Sequence, residues 1–348
     1  MSNRTLKEIA GASRLMIIAN SIYKNWLSGR RLKKGDSKAL FGSTHEGMNL
    51  AESVEYIDRV FDEYLQMSSL SVESLEGKRI LEVGPGDNLG VALRFLSAGA
   101  AEVVCADKFY SHRDEAQQRA IYQALRERLS RTERPRFDAA IDLSDGIDFD
   151  SKRLKYLYGV PVEEIYKWFP RGHFDLIVSR AVIQYVYEID TAFQAMDAVL
   201  KPGGLMVHKL DLSDHRMFSS RGMNPLTFLT IRDSLYRLMA RYSCKPNRRL
   251  TNYYREKMIE LNYDARVFAT AVLGQPEFSG PTEHVDLRAE PVRHALDFIK
   301  EIRPKLAKQY RDLPDEDLAI SAVFLVAKKP ERTGVVRARA AAASARVR

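Results

Sequence analysis

Cysteine is almost absent from the sequence, which contains only Cys105 and Cys244 in 348 residues. Two cysteines provide no disulfide framework, and Cys105 lies within a predicted buried strand, where it serves as a small apolar residue. Long apolar runs are also lacking, since none approaches the ~20 residues that a membrane-spanning helix needs. The first residues contain no apolar segment followed by the small-residue cleavage site of a secreted protein. These absences favour a cytoplasmic location.

Positive charge is concentrated at the two ends of the chain. The formal net charge is +8, of which residues 1–35 contribute +7 and residues 331–348 contribute +4. Subtracting these two ends leaves −3 for residues 36–330. A nucleic-acid enzyme usually concentrates positive charge on its working face. The distribution therefore argues against nucleic acid as a substrate.

A single βαβ unit in residues 79–109 organises the chain: RILEVGPGDNLGVALRFLSAGAAEVVCADKF. An apolar strand leads into a glycine turn, a helical pattern follows, and a second apolar strand ends on Asp107. Gly84 and Gly86 allow a ligand to come close to the backbone because they have no Cβ. An acid at the end of the second strand can accept hydrogen bonds from both hydroxyls of a ribose. The unit predicts a site for a nucleoside-containing cofactor.

The spacing of the glycines separates two classes of cofactor. A dinucleotide site uses G-x-G-x-x-G, whose third glycine packs the helix against the strand, but Leu89 occupies that position here. The chain instead has Glu82-x-Gly84-x-Gly86-x-x-x-Gly90. A nicotinamide-dependent oxidoreductase is therefore disfavoured but remains an alternative, as does a non-catalytic scaffold that binds a cofactor.

Two further motifs follow along the chain. FDLIVSRAVIQYV, at residues 174–186, is a strand that runs directly into a helix, and LKPGG, at residues 200–204, is a helix end and a turn before another strand. With the glycine loop, these motifs resemble those of class I S-adenosylmethionine-dependent methyltransferases. The resemblance implies a Rossmann-like three-layer α/β sandwich with a seven-stranded, mostly parallel sheet, and S-adenosylmethionine as cofactor. It also implies N-terminal helices and a helical cap insertion.

The resemblance further implies which residues hold the cofactor. The predicted set is Glu82, Gly84, Gly86, Asn88, Asp107, Lys108, Ser179, Arg180 and Gln184. Asp107 stands where the family holds the ribose, although Arg180 could equally form an ion pair with a nearby carboxylate. Family members commonly have an acid near the adenine after the third strand, but this chain has Val160 there. Backbone groups with apolar packing, or Asp142, remain the alternatives for the adenine contact.

Polar residues follow the fifth strand in the run HKLDLSDH, at residues 208–215. Ligands in such sheets lie at strand carboxyl ends, and histidine is the commonest general base near neutral pH. We predict His208, Asp211 and His215 as catalytic residues, with one histidine taking a proton from a hydroxyl acceptor. A hydrogen-bonded structural cluster is the alternative. No metal site is predicted because no zinc pattern is present, although Asp211 and Asp214 leave a hard cation such as Mg²⁺ open.

The predicted reaction is methyl transfer to an oxygen of a small hydroxylated acceptor, such as a sugar or saccharide intermediate. The run from HKLDLSDH to NRRLTNYYREKMIELNY resembles a bacterial methyltransferase subgroup often met in saccharide biosynthesis. In that setting Arg248 and Arg249 could bind a phosphate or carboxylate of the acceptor, or they could simply be solvated. N- or C-methylation of another small metabolite remains an alternative.

The flanking segments complete the predicted organisation. Residues 1–70 form an N-terminal helical extension, residues 71–330 the methyltransferase domain with its insertion at about 213–250, and residues 331–348 a disordered basic tail. The first helix, predicted over residues 4–28, carries Leu15, Ile18, Ile22 and Trp26 on one face. With the basic run that follows, residues 4–34 could contact an anionic membrane surface. A helix that caps the domain or packs on a partner is the interpretation that we favour.

Overall fold

The computed structural model describes residues 13–35 and 44–331. Its helices are α1 (Arg14–Lys33), α2 (Leu50–Ser68), α3 (Gly90–Ser97), α4 (Glu115–Arg128), α5 (Arg134–Asp138), α6 (Ile189–Val199), α7 (Asp233–Ala240), α8 (Thr251–Glu260), α9 (Arg293–Ile302), α10 (Lys308–Arg311) and α11 (Asp315–Ala319). Its strands are β1 (Arg79–Val83), β2 (Glu102–Asp107), β3 (Ile141–Asp142), β4 (Asp148–Phe149), β5 (Leu154–Tyr158), β6 (Phe174–Arg180), β7 (Leu200–Asp211), β8 (Asp264–Val272) and β9 (Ile320–Lys328).

Seven strands form one sheet in the order β5-β2-β1-β6-β7-β9-β8, and β3 pairs with β4 apart from it. Neighbouring strands are parallel except that β9 runs antiparallel to both β7 and β8. The chain builds outward from β1 through β2 to β5 and then returns to the other side of β1 with β6. Such a switch point opens a crevice beyond the strand carboxyl ends, where ligands bind. The predicted Rossmann-like, mostly parallel seven-stranded sheet is confirmed.

Alternate residues of the central strands enter two different cores, which makes the molecule a three-layer sandwich. Leu81, Val83 and Ile177 pack with α6, α8 and α9 on one face of the sheet. Ile80 and Leu176 pack with α2, α3 and α4 on the other face. Each of these five side chains is at most 3% exposed. Both faces of the central strands are therefore covered, as continuous apolar runs predict.

The strands of the central motifs lie where the sequence predicts them, with one difference. β6 occupies the first seven residues of FDLIVSRAVIQYV. LKPGG is predicted as a turn before a strand, but β7 already begins at Leu200. Residues 201–204 bulge out of the ladder between Leu200, which pairs with Phe174, and Leu205, which pairs with Leu176.

Helix α1 turns only half of its predicted apolar stripe toward the protein, because Ile18 is buried and Ile22 packs against the core while the other two residues face solvent. Leu15 is 76% exposed and Trp26 is 51% exposed, although both belong to the predicted apolar stripe. The buried residues of the helix are Ile18, Ser21, Asn25 and Gly29. Residues 4–12 of the predicted helix lie outside the described residues, as do residues 332–348 of the predicted tail.

The insertion after β7 contacts α1 and is mostly turns and irregular structure, with less helix than the predicted helical cap. Residues 213–250 contain short 3-10 turns and α7, and we call them the cap. Asn25 Oδ1 of α1 accepts a hydrogen bond from the backbone N–H of Tyr242 at 2.6 Å. Arg14 of α1 donates to Thr230 Oγ1 at 2.8 Å. These contacts fix α1 against the cap, which covers one side of the crevice described below.

Candidate active site

A cavity of ≈ 630 Å³ lies beyond the carboxyl ends of β1, β2 and β6. Three parts of the chain form its walls: the segment around α2, the loops that leave the parallel strands, and the cap. The lining residues include His45, Tyr56, Glu82, Gly84, Gly86, Asp87, Asn88, Asp107, Lys108, Arg180, Val182, Tyr185, Asp214, His215, Arg241, Tyr242, Cys244 and Lys245. The cavity therefore joins the predicted cofactor loop to the predicted acceptor side.

The glycine loop after β1 leaves no room for side chains. Gly84 and Gly86 adopt φ values of 69° and 71°, which lie in the left-handed region that favours glycine. A Cβ at Gly84 would lie 2.4 Å from Cγ2 of Val182, which follows β6. Arg113 supports the loop because its Nη2 donates to the carbonyl of Gly86 at 2.7 Å. The cavity floor at Gly84 and Gly86 is therefore bare backbone.

Two carboxyl groups line the cavity beside this loop. Burial raises the pKa of Asp107 to about 6, although the backbone N–H of Phe109, at 2.9 Å from Oδ1, acts in the opposite direction. Burial also raises the pKa of Glu82 to about 7, although the hydrogen bond that its carboxylate accepts from the thiol of Cys105, at 3.4 Å, acts in the opposite direction. A ligand that offers hydroxyl groups or positive charge would compensate both carboxylates for lost water.

The residues after the glycines line the cavity and also form hydrogen bonds that hold the loop in place. The side chain of Asn88 donates to Gln118 Oε1 at 2.8 Å and accepts from the backbone N–H of Gly90 at 2.6 Å. Asp87 Oδ2 accepts the backbone N–H of His45 at 2.9 Å and so ties the segment before α2 to the loop. Asp87 Oδ1 and His45 Nδ1 are buried without a hydrogen-bond partner among the described residues. Both atoms belong to residues that line the cavity.

Only one of the three cofactor candidates from β6 and its exit lines the cavity. Arg180 does so, and it forms the ion pair that the sequence left open, with Glu63 as its partner. Its guanidinium also lies 5.7 Å from the ring centroid of Tyr56. Ser179 and Gln184 are 0% and 1% exposed and are not part of the cavity wall. Their prediction as cofactor contacts is corrected because strand alternation and the turn after β6 direct them into the core.

His208 requires a similar correction. Its side chain is 0% exposed, and its Nδ1 lies 2.8 Å from Ser179 Oγ within the sheet. Burial lowers the pKa of His208 to about 3. An imidazole that stays neutral in the core and does not line the cavity cannot take a proton from an acceptor there. Strand β7 extends to Asp211, so His208 is still inside the sheet instead of at its edge.

His215 and Tyr185 meet at the cavity wall. The Tyr185 hydroxyl and His215 Nδ1 are 2.8 Å apart, and the two rings pack with centroids 4.9 Å apart. His215 Nε2 is buried without a partner among the described residues. Asp211 does not line the cavity, but its Oδ2 lies 3.6 Å from His215 Nδ1. Burial, assisted by the charge of Asp211, raises the pKa of Tyr185 to about 12. Tyr185 was not predicted, although it directly follows the candidate Gln184.

Asp214 and Arg248 have structural roles. The two oxygens of Asp214 accept the backbone N–H groups of Arg216, Phe218 and Ser219 and the Ser219 hydroxyl. They are therefore unavailable to the hard cation that the sequence left open. Arg248 is 5% exposed and donates to the Ile231 carbonyl at 2.5 Å and to Asp233. Its predicted contact with an acceptor anion is corrected, because the guanidinium holds the cap together.

The cap brings positive charge to the cavity that the sequence did not predict. Arg241 and Lys245 line it beside Cys244 and Tyr242, and Lys108 adds a third cation after β2. Burial and the nearby Lys24 lower the pKa of Lys245. Arg241 and Lys245 belong to no sequence motif, so their position on the cavity wall is evident only from the folded cap.

Neither a metal cluster nor a membrane span was found in the part of the chain that the structure describes. Residues 13–35 and 44–331 contain no group of three or more His, Cys, Asp or Glu side chains arranged to hold a metal ion. Over the same ranges, no helix is both long and apolar enough to cross a bilayer.

The fold and the site define an α/β protein with a nucleoside-cofactor cavity at the switch point of its sheet. The sequence matches the methyltransferase domain family over residues 54–262, which is more than half of the chain. The chain therefore belongs to this family. The match begins within α2 and ends just after α8, so it includes the glycine loop, β6, β7 and the cap. This membership supports the methyltransferase class and the cofactor S-adenosylmethionine that the motifs predict.

Several solved structures are similar to the fold. Phosphoethanolamine N-methyltransferase 2 of Haemonchus contortus, in complex with S-adenosyl-L-methionine, is 17% identical with a TM-score of 0.41, over 83% of this chain and 58% of that chain. The chain thus spans less than two thirds of that enzyme. The CurJ carbon methyltransferase is 12% identical with a TM-score of 0.36, over 94% of this chain and 72% of that chain. An S-adenosylmethionine-dependent methyltransferase from Mesorhizobium loti is 15% identical with a TM-score of 0.38, over 81% of this chain and 100% of that chain. A search of curated proteins found no match.

Proposed function

We propose that the protein transfers a methyl group from S-adenosylmethionine to a hydroxyl oxygen of a small acceptor, such as a sugar or saccharide intermediate. One observation carries this proposal: a histidine–tyrosine pair stands in the wall of the same cavity that contains the glycine loop and Asp107. Cofactor, acceptor and proton acceptor can therefore share one cavity.

The cavity fits the nucleoside and amino-acid parts of the cofactor. The bare backbone at Gly84 and Gly86 accepts a group that a Cβ would exclude, and Asp107 can accept the hydroxyls of a ribose. Glu82 offers a buried carboxylate, and the unpartnered Asp87 Oδ1 a further acceptor. When bound, S-adenosylmethionine supplies an electrophilic methyl group on its sulfonium. The protein contributes alignment and exclusion of water more than strong chemistry.

His215 is the proposed general base. Tyr185 orients the imidazole through Nδ1, which leaves the unpartnered Nε2 to accept the proton of an acceptor hydroxyl. Asp211 lies near enough to His215 to favour the charge that the imidazole then carries. Of the three predicted catalytic residues, the proposal keeps His215 as the base and Asp211 as its support.

The charge of the cap supports oxygen over a cationic amine as the methylated atom. Lys245 and Arg241 line the acceptor side, and Asp214 there is already satisfied by hydrogen bonds. Beside Lys245 and Arg241, of which Arg241 also pairs with Glu188 at 3.8 Å, an amine that is protonated in solution would meet like charge. A hydroxylated acceptor, especially one that also carries an acidic group, would not.

The cofactor part of the proposal is tested by titration calorimetry with S-adenosylhomocysteine. We expect the wild-type protein to bind, and Asp107→Ala to weaken binding at least about tenfold through loss of a charge-assisted hydrogen bond. Asp145→Ala is the matched control because Asp145 is exposed and does not line the cavity. No binding by the wild type, or equal affinity in both variants, would refute the proposed site.

The acceptor part is tested with a labelled methyl donor and a panel of hydroxylated metabolites. Once a product is found, His215→Ala should reduce kcat by about 10²- to 10⁴-fold while S-adenosylhomocysteine affinity stays within a factor of two or so. Tyr185→Phe should have a smaller effect in the same direction. His294→Ala, an exposed histidine on α9, is the control. Full turnover by His215→Ala would eliminate the base role without affecting the cofactor result.

A further inference from the structure

Helix α1 attaches to the protein through Ile18, which belongs to the core, and through the small and polar residues Ser21, Asn25 and Gly29. Ser21 and Asn25 are 3% and 6% exposed, and Asn25 accepts the backbone N–H of Tyr242. A Cβ at Gly29 would lie 2.9 Å from Cδ2 of Tyr242, so only glycine allows this approach. The inner face is thus matched closely to the cap and combines these small and polar residues with Ile17, Ile18 and Ile22, which pack in or against the core.

The opposite face of α1 carries the large apolar residues and leaves them in solvent. Leu15, Met16, Tyr23, Trp26 and Leu27 are 76%, 52%, 58%, 51% and 39% exposed. Their spacings of three, four, seven and eleven residues place them on one side of a helix. A surface helix of a globular protein normally has the reverse arrangement, with its apolar stripe facing the core. A contiguous exposed apolar patch of this kind marks an interaction surface.

Aromatic rings and cations lie together on this outward face. Tyr23 and Trp26 stack with centroids 6.3 Å apart, and the guanidinium of Arg30 lies 4.8 Å from the Trp26 ring. Residues 14–35 contain no Asp or Glu. Their basic residues are Arg14, Lys24, Arg30, Arg31, Lys33 and Lys34. Tyrosine and tryptophan rings are favoured at the headgroup level of a membrane, and lysine and arginine are attracted to anionic lipids.

The positive charge of α1 indicates which kind of partner binds its outward face. A second copy of the chain would bring two surfaces of the same positive sign together, which is unfavourable. Residues 36–330 carry −3, so the positive charge lies at the two ends of the chain, and six basic residues without an acidic one fall within residues 14–35. An anionic lipid surface complements both the charge and the apolar side chains.

We infer that the outward face of α1, formed by Leu15, Met16, Tyr23, Trp26 and Leu27, binds an anionic membrane surface. The helix lies in the plane of the interface, with its apolar side chains among the lipid headgroups and upper acyl chains. Arg30, Lys33 and Lys34 contact the lipid phosphates at the C-terminal end of the helix. The inference is independent of the proposed methylation.

The two tryptophans of the chain provide an internal probe and its control. Trp26 is 51% exposed on α1, and Trp168 is 56% exposed elsewhere. Trp168 precedes Phe169, whose ring lies 5.2 Å from that of His173, and His173 pairs with Glu102 at the start of β2. Trp168 therefore lies near the amino ends of the strands, opposite the cavity. Trp168→Phe leaves Trp26 as the only tryptophan, and Trp26→Phe leaves Trp168.

The experiment adds vesicles of phosphatidylcholine and phosphatidylserine to each full-length single-tryptophan protein at low salt. We expect the emission of Trp26 to shift to shorter wavelength and that of Trp168 to stay unchanged. Vesicles of phosphatidylcholine alone should give a much smaller shift, and added salt should weaken it. Absence of a Trp26 shift, or an equal shift with both vesicle types, would overturn the inference.

Co-sedimentation with the same vesicles supplies the second measurement. Trp26→Ser should reduce the bound fraction by roughly tenfold, while Trp168→Ser binds as the wild type does. Urea unfolding midpoints of both variants verify that each is folded, since both side chains are half exposed. Light scattering without lipid tests the competing occupant. A dimer mass in the wild type that Trp26→Ser converts to a monomer would assign the face to a second copy and reject the membrane.

Discussion

Glu82 keeps its carboxyl group buried beside the glycine loop, and this has a consequence for stability. Because burial raises its pKa from 4.5 to about 7, the unfolded chain loses this proton at lower pH than the folded protein does. Stability therefore falls as the pH rises from about 4.5 through about 7, by about 3 kcal/mol. Glu82→Gln removes this effect, so we expect the variant to gain stability relative to wild type between pH 5 and pH 8. Urea unfolding of the ligand-free proteins measures this gain. The prediction is contradicted if the difference in unfolding free energy between variant and wild type is the same at pH 5 and pH 8.

His208 produces the opposite dependence. Its pKa is lowered by burial from 6.5 to about 3, so the unfolded chain binds the proton first as the pH falls. The stability that the neutral imidazole contributes is present above about pH 6.5 and is lost progressively toward pH 3. His208→Asn retains an acceptor for Ser179 but does not titrate in this range. We expect its unfolding midpoint to fall less steeply than that of the wild type between pH 7 and pH 5. Parallel curves would show that His208 titrates normally.

At the residue scale, the sequence predicts positions that depend on the backbone better than positions that depend on side-chain direction. Gly84 and Asp107 lie on the cavity because glycine and the strand end fix them. His208 belongs to the same eight-residue run as His215, yet the strand continues past it. Where β7 ends is decided by its pairing with β9, about 110 residues further along the chain. No local pattern contains that information.

At the scale of elements, the contact between α1 and the cap can be measured with a double-mutant cycle. Gly29→Val would place methyl groups against the Tyr242 ring, where a Cβ alone already comes within 2.9 Å. We expect a loss of about 1–3 kcal/mol of unfolding free energy from overpacking. In a Tyr242→Ala background the same substitution finds space, so its cost should shrink by about 1 kcal/mol or more. Additive effects in the cycle would indicate that the two residues do not touch.

The elements themselves were largely predictable, but the orientation of α1 was not. β6 lies at the apolar start of FDLIVSRAVIQYV because a short apolar run identifies a buried strand. The helix α1 is present too, but Leu15 and Trp26 of its predicted apolar stripe point outward while Ile18 is buried. Periodicity indicates which residues share a face and cannot say which medium that face meets. For α1 the orientation depends on the cap, because Tyr242 of the cap packs against the inner face of the helix.

At the scale of the whole molecule, the cavity connects three distant parts of the chain. The segment before α2, the loops after β1 and β2, and residues 241–246 of the cap all line it. S-adenosylhomocysteine at one hundred times its Kd should therefore stabilise the protein by about 2.7 kcal/mol. Hydrogen exchange should slow in all three parts, while the β3–β4 hairpin, which does not line the cavity, exchanges as before. Protection confined to the glycine loop would mean that the cap does not close on the ligand.

The position of β9 also sets the order in which the sheet can form during synthesis. Among the strands of the described residues, β8 pairs with β9 alone, apart from the bridge between Ala269 and Thr282, and β9 lies between β8 and β7. While the ribosome is still translating residues 273–319, β5, β2, β1, β6 and β7 can already pair, but β7 has one open edge and β8 has no partner. Such an edge is an aggregation risk in a nascent chain. The arrival of residues 320–328 joins the two parts, and we expect this step to limit the rate at which newly made chains become resistant to proteolysis.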